Sequence, residues 1–185
     1  MMTEIALNVL DVAQNSIRAK AALIRISVAA DTDRDRMEIV IEDNGCGMTP
    51  EQVCQAQDPF FTTRSTRKVG LGVPFFKYSA QCTGGDFYMT SQVGKGTKVT
   101  AVYVLSSIDR MPLGDMPGII HTLITFNPEI DFVYTYTVDG RGFTLDTRQV
   151  REILEGIPLD TPEVSAYIED FLKENTREAD RDVRL

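Results

Sequence analysis

Asp43-Asn44-Gly45-Cys46-Gly47-Met48 closes a stretch, residues 37–43, in which apolar and polar side chains alternate. Such alternation marks a strand with one buried face, and the Asn-Gly pair with a second glycine two residues on turns the chain out of it. Asp43 therefore puts a carboxylate at the mouth of a loop whose glycines leave room for a ligand to approach the backbone. A carboxylate there can accept from an amino group such as the adenine N6. A plain turn accounts for Asp-Asn-Gly equally well.

Working outward, residues 23–29 alternate in the same way, and the polar residues 31–36 between the two runs read as a hairpin turn. Before them, Ile5, Val9, Val12, Ala13 and Ile17 recur at helical spacing, which predicts a helix over residues 4–21 with one apolar face. Asn8, Asp11 and Asn15 fall at i, i+3 and i+7 on the opposite face. Asn and Asp are poor residues for a helix interior because their side chains compete for backbone hydrogen bonds. The stripe is either a solvated face or one wall of a site.

After the loop, Thr49-Pro50-Glu51-Gln52 supplies an N-cap, a proline at the first helical position and a capping partner for a short helix to residue 57. Residues 58–70 have no regular pattern. A further helix opens at Gly70-Leu71-Gly72, tolerates Pro74 in its first turn and stops at Gly84-Gly85. Free N–H groups at that helix start, with Arg64, Arg67 and Lys68 just before it, make an anion site fit for a di- or triphosphate. No Gly-x4-Gly-Lys-Ser/Thr motif is present, so the site is not a P-loop. Strands over residues 86–92 and 97–105 follow, joined by Val93-Gly94-Lys95-Gly96. The order helix, two strands, two helices, two strands implies an α/β (α+β) two-layer sandwich, a mixed or antiparallel sheet with its helices on one face.

These features occur in one order, and residues 4–105 resemble the GHKL ATPase domain of gyrase, MutL and histidine kinases. The N box stands at Asp11-Val12-Ala13-Gln14-Asn15 and the G1 box at Asp43-Asn44-Gly45-Cys46-Gly47-Met48. An F-box-like Pro59-Phe60-Phe61-Thr62-Thr63-Arg64, a G2 box at Gly70-Leu71-Gly72-Val73 and a final Gly94-Lys95-Gly96-Thr97 complete the series. The resemblance implies ATP and Mg²⁺ as cofactors. Asn15 would ligate Mg²⁺, Asp43 would bind the adenine amine with help from Thr97, and Gly45, Gly47 and Met48 would shape the adenine wall. Gly70, Leu71 and Gly72 would meet the phosphates under a lid over residues 62–69 that carries Arg64 and Lys68. Four residues before the metal asparagine, gyrase- and MutL-like members and anti-sigma-factor kinases carry a glutamate general base, and histidine kinases usually an asparagine. This chain has Asp11, a carboxylate one methylene shorter than glutamate, and it is the expected catalytic residue.

Pro112, Gly114, Pro117 and Gly118 place a linker at residues 106–118, after an ATP-binding domain over residues 1–105. Residues 119–185 then read as a small α/β appendage: a helix over 119–126, a strand over 130–138 turned by Asp139-Gly140-Arg141-Gly142 into a second over 143–145, a helix capped by Asp146 or Thr147, and a last helix from Thr161. The charged residues 175–185 read as a frayed tail. The strand over 130–138 either buries local apolar surface, covers a sheet edge, joins a partner's sheet or forms a dimer contact. His121, in an apolar segment, reads as a packing histidine.

Acidic residues outnumber basic ones, 27 to 19, for a net charge of -8, which argues against nucleic-acid binding. No apolar run approaches the roughly 20 residues of a membrane span, and the start lacks the form of a secretory signal. Three cysteines without a Cys-x-x-Cys spacing indicate reduced thiols. Taken with the resemblance, which implies the ATP-binding domain of the kinase type, these observations lead to the expectation of a cytoplasmic domain that stands alone, acts on a partner protein and forms a homodimer. The alternatives are a nucleotide sensor without turnover and a slow ATP-gated ATPase. Only three residues precede the first helix, which leaves a self-contained two-component sensor unfavoured.

Overall fold

The computed structural model describes residues 3–59, 71–181 and 183–185. The chain opens with α1 (Ile5–Arg18), a hairpin of β1 (Leu23–Asp31) and β2 (Arg36–Asp43), then α2 (Pro50–Ala56) and α3 (Gly72–Cys82). A second hairpin, β3 (Phe87–Gln92) and β4 (Gly96–Val104), leads to α4 (Met116–Phe126), β5 (Asp131–Val138), β6 (Arg141–Asp146), α5 (Thr147–Ile153) and α6 (Pro162–Asp180).

The strands form one sheet in the order β3-β4-β2-β1-β5-β6, antiparallel throughout except where β5 runs parallel to β1. Ile24, Ile26, Val28 and Ala30 of β1 point to the same face as Met37, Ile39 and Ile41 of β2, and all are buried. The opposite face carries Arg25, Ser27, Ala29, Glu38 and Glu42. The apolar sides of α1, α3, α4 and α6 join the inward residues of the sheet in one core, so the helices form a single second layer. Each fully buried Val, Ile or Phe stabilises that layer by about 1.5–3 kcal/mol. This is the two-layer sandwich expected.

In the C-terminal third the strand over 130–138 takes the sheet-edge alternative, so this part joins the sheet rather than standing as a separate appendage. β5 pairs with β1 along its length, from Leu23↔Asp131 to Ala30↔Val138, so residues 119–185 extend the same sheet and contribute Ile120, Leu123, Tyr134 and Leu172 to the same core. β1 would otherwise be an edge with a row of unpaired N–H and C=O groups, and β5 takes them up. The segment expected to be a linker is equally tied in. The carbonyls of Pro112 and Leu113 accept from Ile5 N (3.0 Å) and Ala6 N (2.8 Å), two of the first-turn donors of α1, whose N-cap residue Glu4 makes no side-chain cap. The β5–β6 connection is the two-residue turn Asp139-Gly140, both at positive φ, which matches the twist of the strands and lets β6 begin at Arg141.

Residues 175–180 are helical rather than frayed. Ala179 is buried, and the Tyr136 hydroxyl donates to Asp180 Oδ1 at 2.6 Å. His121 packs between helices, its Nε2 2.8 Å from Ser165 Oγ. The partial burial that holds the end of α6 pushes the Asp180 carboxyl above its ordinary range, with the Tyr136 hydrogen bond acting the other way. The folded chain therefore keeps a proton on Asp180 to higher pH than the unfolded chain does, and this group's contribution to stability falls as pH rises between the two pKa values. Asp180→Asn keeps an acceptor for Tyr136 and removes the half-buried charge. Its melting temperature at pH 7 should equal or exceed that of the wild type, and the difference should close on titration to about pH 4, where the unfolded carboxyl is half protonated. A variant that melts well below wild type at both pH values would contradict this.

Candidate nucleotide site

α1, α2, the start of α3 and the inward face of β2, β4 and β3 surround a cavity of about 380 Å³ among the described residues. Its polar floor is Asp43. Asp43 is 9% exposed, and its carboxylate is held from two directions: Ser16 Oγ on α1 donates to Oδ2 at 2.6 Å, and the backbone N–H of Gly45 donates to Oδ1 at 2.9 Å. Around it the walls are apolar, with Val12 from α1, Ile41 from β2, Val99 from β4, Met89 from β3 and Val73 from α3. A mostly apolar cavity with a fixed carboxylate acceptor and a few further polar groups in its lining suits a heteroaromatic ring that carries a donor.

The loop after β2 forms one rim. Asn44 turns its side-chain oxygen back to accept from Ala22 N and Leu23 N, both at 2.9 Å, which fastens the loop to the start of β1. Cys46 N donates to Ala19 O and Cys46 O accepts from Gly94 N, so the loop is also tied to α1 and to the β3–β4 turn. Gly47 has φ +67°, and a Cβ there would come 1.9 Å from Gln92 O; no other residue fits that approach. Met48 N donates to Ser91 Oγ at 2.9 Å. Thr97, the register partner of Asp43, shares a hydroxyl hydrogen bond with Ser91 Oγ at 2.8 Å.

α2 is the opposite rim, and its start follows the sequence closely. Gln52 N donates to Thr49 Oγ1 and Thr49 N to Gln52 Oε1, a reciprocal capping box with Pro50 at the first helical position. At this helix start, backbone and Thr49 hydrogen bonds hold the Glu51 carboxyl below the usual carboxylate range. Gln52, Gln55 and Ala56 line the cavity from this side.

At the far end, α3 begins against α1. A Cβ on Gly72 would fall 2.8 Å from Asp11 Cβ and 3.3 Å from its Oδ2, so the glycine brings the first turn of α3 onto the Asp11 side chain. Leu71 occupies the N-cap position without a side-chain cap, and Pro74 has no N–H. The first-turn N–H groups of this helix are the kind of donors that receive an anion. Asn15, one turn beyond Asp11, is exposed and lines the cavity, its Oδ1 accepting from Arg18 Nη1 at 3.0 Å.

Of the expected site residues, Asn15, Asp43, Gly47, Met48 and Thr97 line the cavity and Gly45 supplies a hydrogen bond to its floor; Asp11 and Gly72 meet beside the lining residues Val12 and Val73 without lining it themselves, and Leu71 precedes Gly72 at the start of α3. Arg64, Lys68 and Gly70, with most of the F-box-like run and the expected lid, lie outside the described residues. Asn8 shares the helix face of Asp11 but is only 1% exposed, and both atoms of its amide lack a partner among the described residues, so the stripe is not one continuous wall. Ser16, Gln52 and Gln55 in the lining, and Ser91 behind it, are polar residues the sequence reading missed. Ser16 falls on the apolar repeat Val9-Val12-Ala13-Ser16, and a hydroxyl on a buried helix face was the available signal.

The sequence profile of the histidine kinase-, DNA gyrase B- and HSP90-like ATPases matches residues 2–107. The chain belongs to this family. With membership comes an ATP-binding site, and the profile covers every part of the cavity just described. Two sensor proteins are similar in sequence: the probable C4-dicarboxylate sensor kinase of Bacillus subtilis, 32% identical over 79 residues, and the C4-dicarboxylate transport sensor protein DctB of Pseudomonas aeruginosa, 29% identical over 102 residues. The matches take in 43% and 55% of this chain but only 15% and 16% of those proteins. Among solved structures, the Aquifex aeolicus MutL ATPase domain complexed with ADP covers 98% of this chain and 98% of its own, with a TM-score of 0.50 at 15% identity. The N-terminal domain of a DNA repair protein covers 78% of this chain and 52% of its own, with a TM-score of 0.51 at 18% identity. At these identities the likeness is one of fold. No helix among the described residues is long and apolar enough to cross a membrane.

Proposed function

We propose that the chain binds ATP with Mg²⁺ in this cavity and passes the terminal phosphoryl group to a partner protein, as a cytoplasmic regulatory domain of the kinase type. The observation that carries the reading is the Asp43 carboxylate, nearly buried and fixed by two donors at the base of an apolar slot. Adenine would enter between Met48, Ile41 and Val99 with its amino group on Asp43. Gly70, Leu71 and Gly72, with Arg64 and Lys68, would receive the phosphates.

Asn15 offers one neutral side-chain oxygen at the rim, whose remaining lone pair is the one open to a metal while Arg18 Nη1 donates to the other, and Asp11 a carboxylate one turn before it. An oxygen donor of this kind suits Mg²⁺, a hard cation that keeps several waters and takes its remaining ligands from phosphate. Bound there, the metal would neutralise charge on the phosphates. Asp11 would orient the attacking hydroxyl and take its proton, and the start of α3 would supply donors to the transferred group. A protein substrate, and a homodimer as the working form, are part of the same proposal; of the two similar proteins, one is named a sensor kinase and the other a transport sensor protein.

A second reading, a nucleotide sensor without turnover or a slow ATP-gated ATPase, is favoured by Asp11 itself. Its carboxylate is one methylene shorter than glutamate, and a displacement of about 1 Å can cost on the order of 10²-fold in rate.

The test of binding is a thermal melt. ATP and Mg²⁺ at about 100 times the dissociation constant should add about 2.7 kcal/mol, a rise on the order of 5 °C or more for a chain of this size. Melting curves that coincide with and without nucleotide would remove the kinase and ATPase readings alike.

A further inference from the structure

We propose that Ser16 is a positioning residue for base recognition: its hydroxyl sets the Asp43 carboxylate so that the site selects 6-aminopurine over 6-oxopurine nucleotides. The inference rests on the reading of this cavity as an adenine site and goes beyond it in naming what gives the site its choice of base.

A carboxylate turns easily about its last bond, because that torsion is broad and roughly two-fold. Asp43 is denied this freedom. Ser16 Oγ meets Oδ2 at 2.6 Å from one side and Gly45 N meets Oδ1 at 2.9 Å from another, so each oxygen is held by a donor on a different element. The helical donor is itself immobile, since Ser16 is 3% exposed and its neighbours Val12 and Ala13 are packed in the core. Ile41, two residues before Asp43 on β2, and Val99, the register partner of Ile41 on β4, offer no competing hydrogen bond, and the hydroxyl of Thr97, the register partner of Asp43, is engaged with Ser91 Oγ. The acceptor capacity left on the two oxygens then faces the cavity in one orientation. An exocyclic amino group finds a ready acceptor; a carbonyl at the same position meets a fixed negative charge.

Removing the hydroxyl frees Oδ2. The carboxylate can then pivot on the Gly45 N–H, present its charge less squarely to an amino group and turn away from a carbonyl. ATP should bind more weakly, and an oxopurine nucleotide should lose little or gain. A hydroxyl with a merely structural role would weaken both nucleotides by the same factor, because they share the ribose and triphosphate.

The experiment is calorimetric titration of ATP and of inosine triphosphate, each with Mg²⁺, into the wild-type chain, Ser16→Ala and Ser16→Cys. Alanine favours the helix, and the melting curve without nucleotide checks the fold of each variant. Wild type should prefer ATP, and Ser16→Ala should cut that preference by about tenfold, chiefly through weaker ATP binding, as expected for loss of a hydrogen bond to a charged group. Ser16→Cys keeps the size of the side chain with a weaker donor and should fall between them. An unchanged ratio in Ser16→Ala, with the wild type still discriminating, overturns the role of Ser16 and leaves the adenine site standing. A wild type that binds the two nucleotides equally, or binds neither, overturns the adenine reading and the proposal with it.

Discussion

Asp43→Asn is expected to abolish the thermal stabilisation that ATP gives the wild-type chain while leaving the melting temperature without nucleotide nearly unchanged. The substitution preserves shape and removes one acceptor. Of the two amide orientations, the one with its oxygen on the Gly45 N–H is favoured, because the other sets two donors against each other. The amide nitrogen then takes the place of Oδ2, where Ser16 Oγ can turn to accept from it, so the folded state keeps its hydrogen bonds. The adenine amino group fares worse, since it meets a donor where it needs an acceptor. A lost bond to a charged group together with an unpaired buried donor costs about 3 kcal/mol or more, at least on the order of 10² in affinity. At a nucleotide concentration that saturates wild type, the variant should show no measurable rise in melting temperature. An undiminished rise would mean that the base is read elsewhere and that Asp43 serves the loop alone.

How far this site could be foreseen depends on the range of the interactions that build it. The glycine loop after β2, the capping box of α2 and the glycine at the start of α3 are local patterns, each written within a few residues, and each was legible. Ser16 was not, although it lies next to Asn15, because its partner is 27 residues away and a serine on the apolar side of a helix resembles an ordinary small residue. Asn8 misled in the opposite sense: helical spacing put it with Asp11 and Asn15, but the packing over α1 buries that end of the face and leaves the other open. The C-terminal third was the largest departure. Proline and glycine at residues 106–118 suggested a boundary by local composition, while the pairing that incorporates β5 is parallel and joins residues more than 100 apart. The alternation of β5 marks it as a strand; no pattern within it names β1 as its neighbour.

Turnover tests the other end of the cavity, and Asp11→Asn should lower it by on the order of 10² or more while ATP binding persists. The variant keeps the side chain in its place against Gly72, where a Cβ on the glycine would come within 2.8 Å of Asp11 Cβ, so the approach of α3 to α1 is undisturbed. What it loses is the ability to take a proton. Asp43 and the start of α3 are untouched, so the thermal rise with ATP and Mg²⁺ should match that of wild type. Loss of both turnover and binding would instead make Asp11 a binding group. Asp11→Glu sharpens the result, because it restores a base and adds the methylene by which Asp11 is the shorter. A rate above that of Asp11→Asn would identify the carboxylate as the working group, with its reach limiting the rate. Wild-type chain that binds ATP firmly and turns none over, with or without a protein substrate, would decide for the sensor. The short Asp11 side chain would then account for the silence of the site, the same cleft serving to report nucleotide rather than consume it.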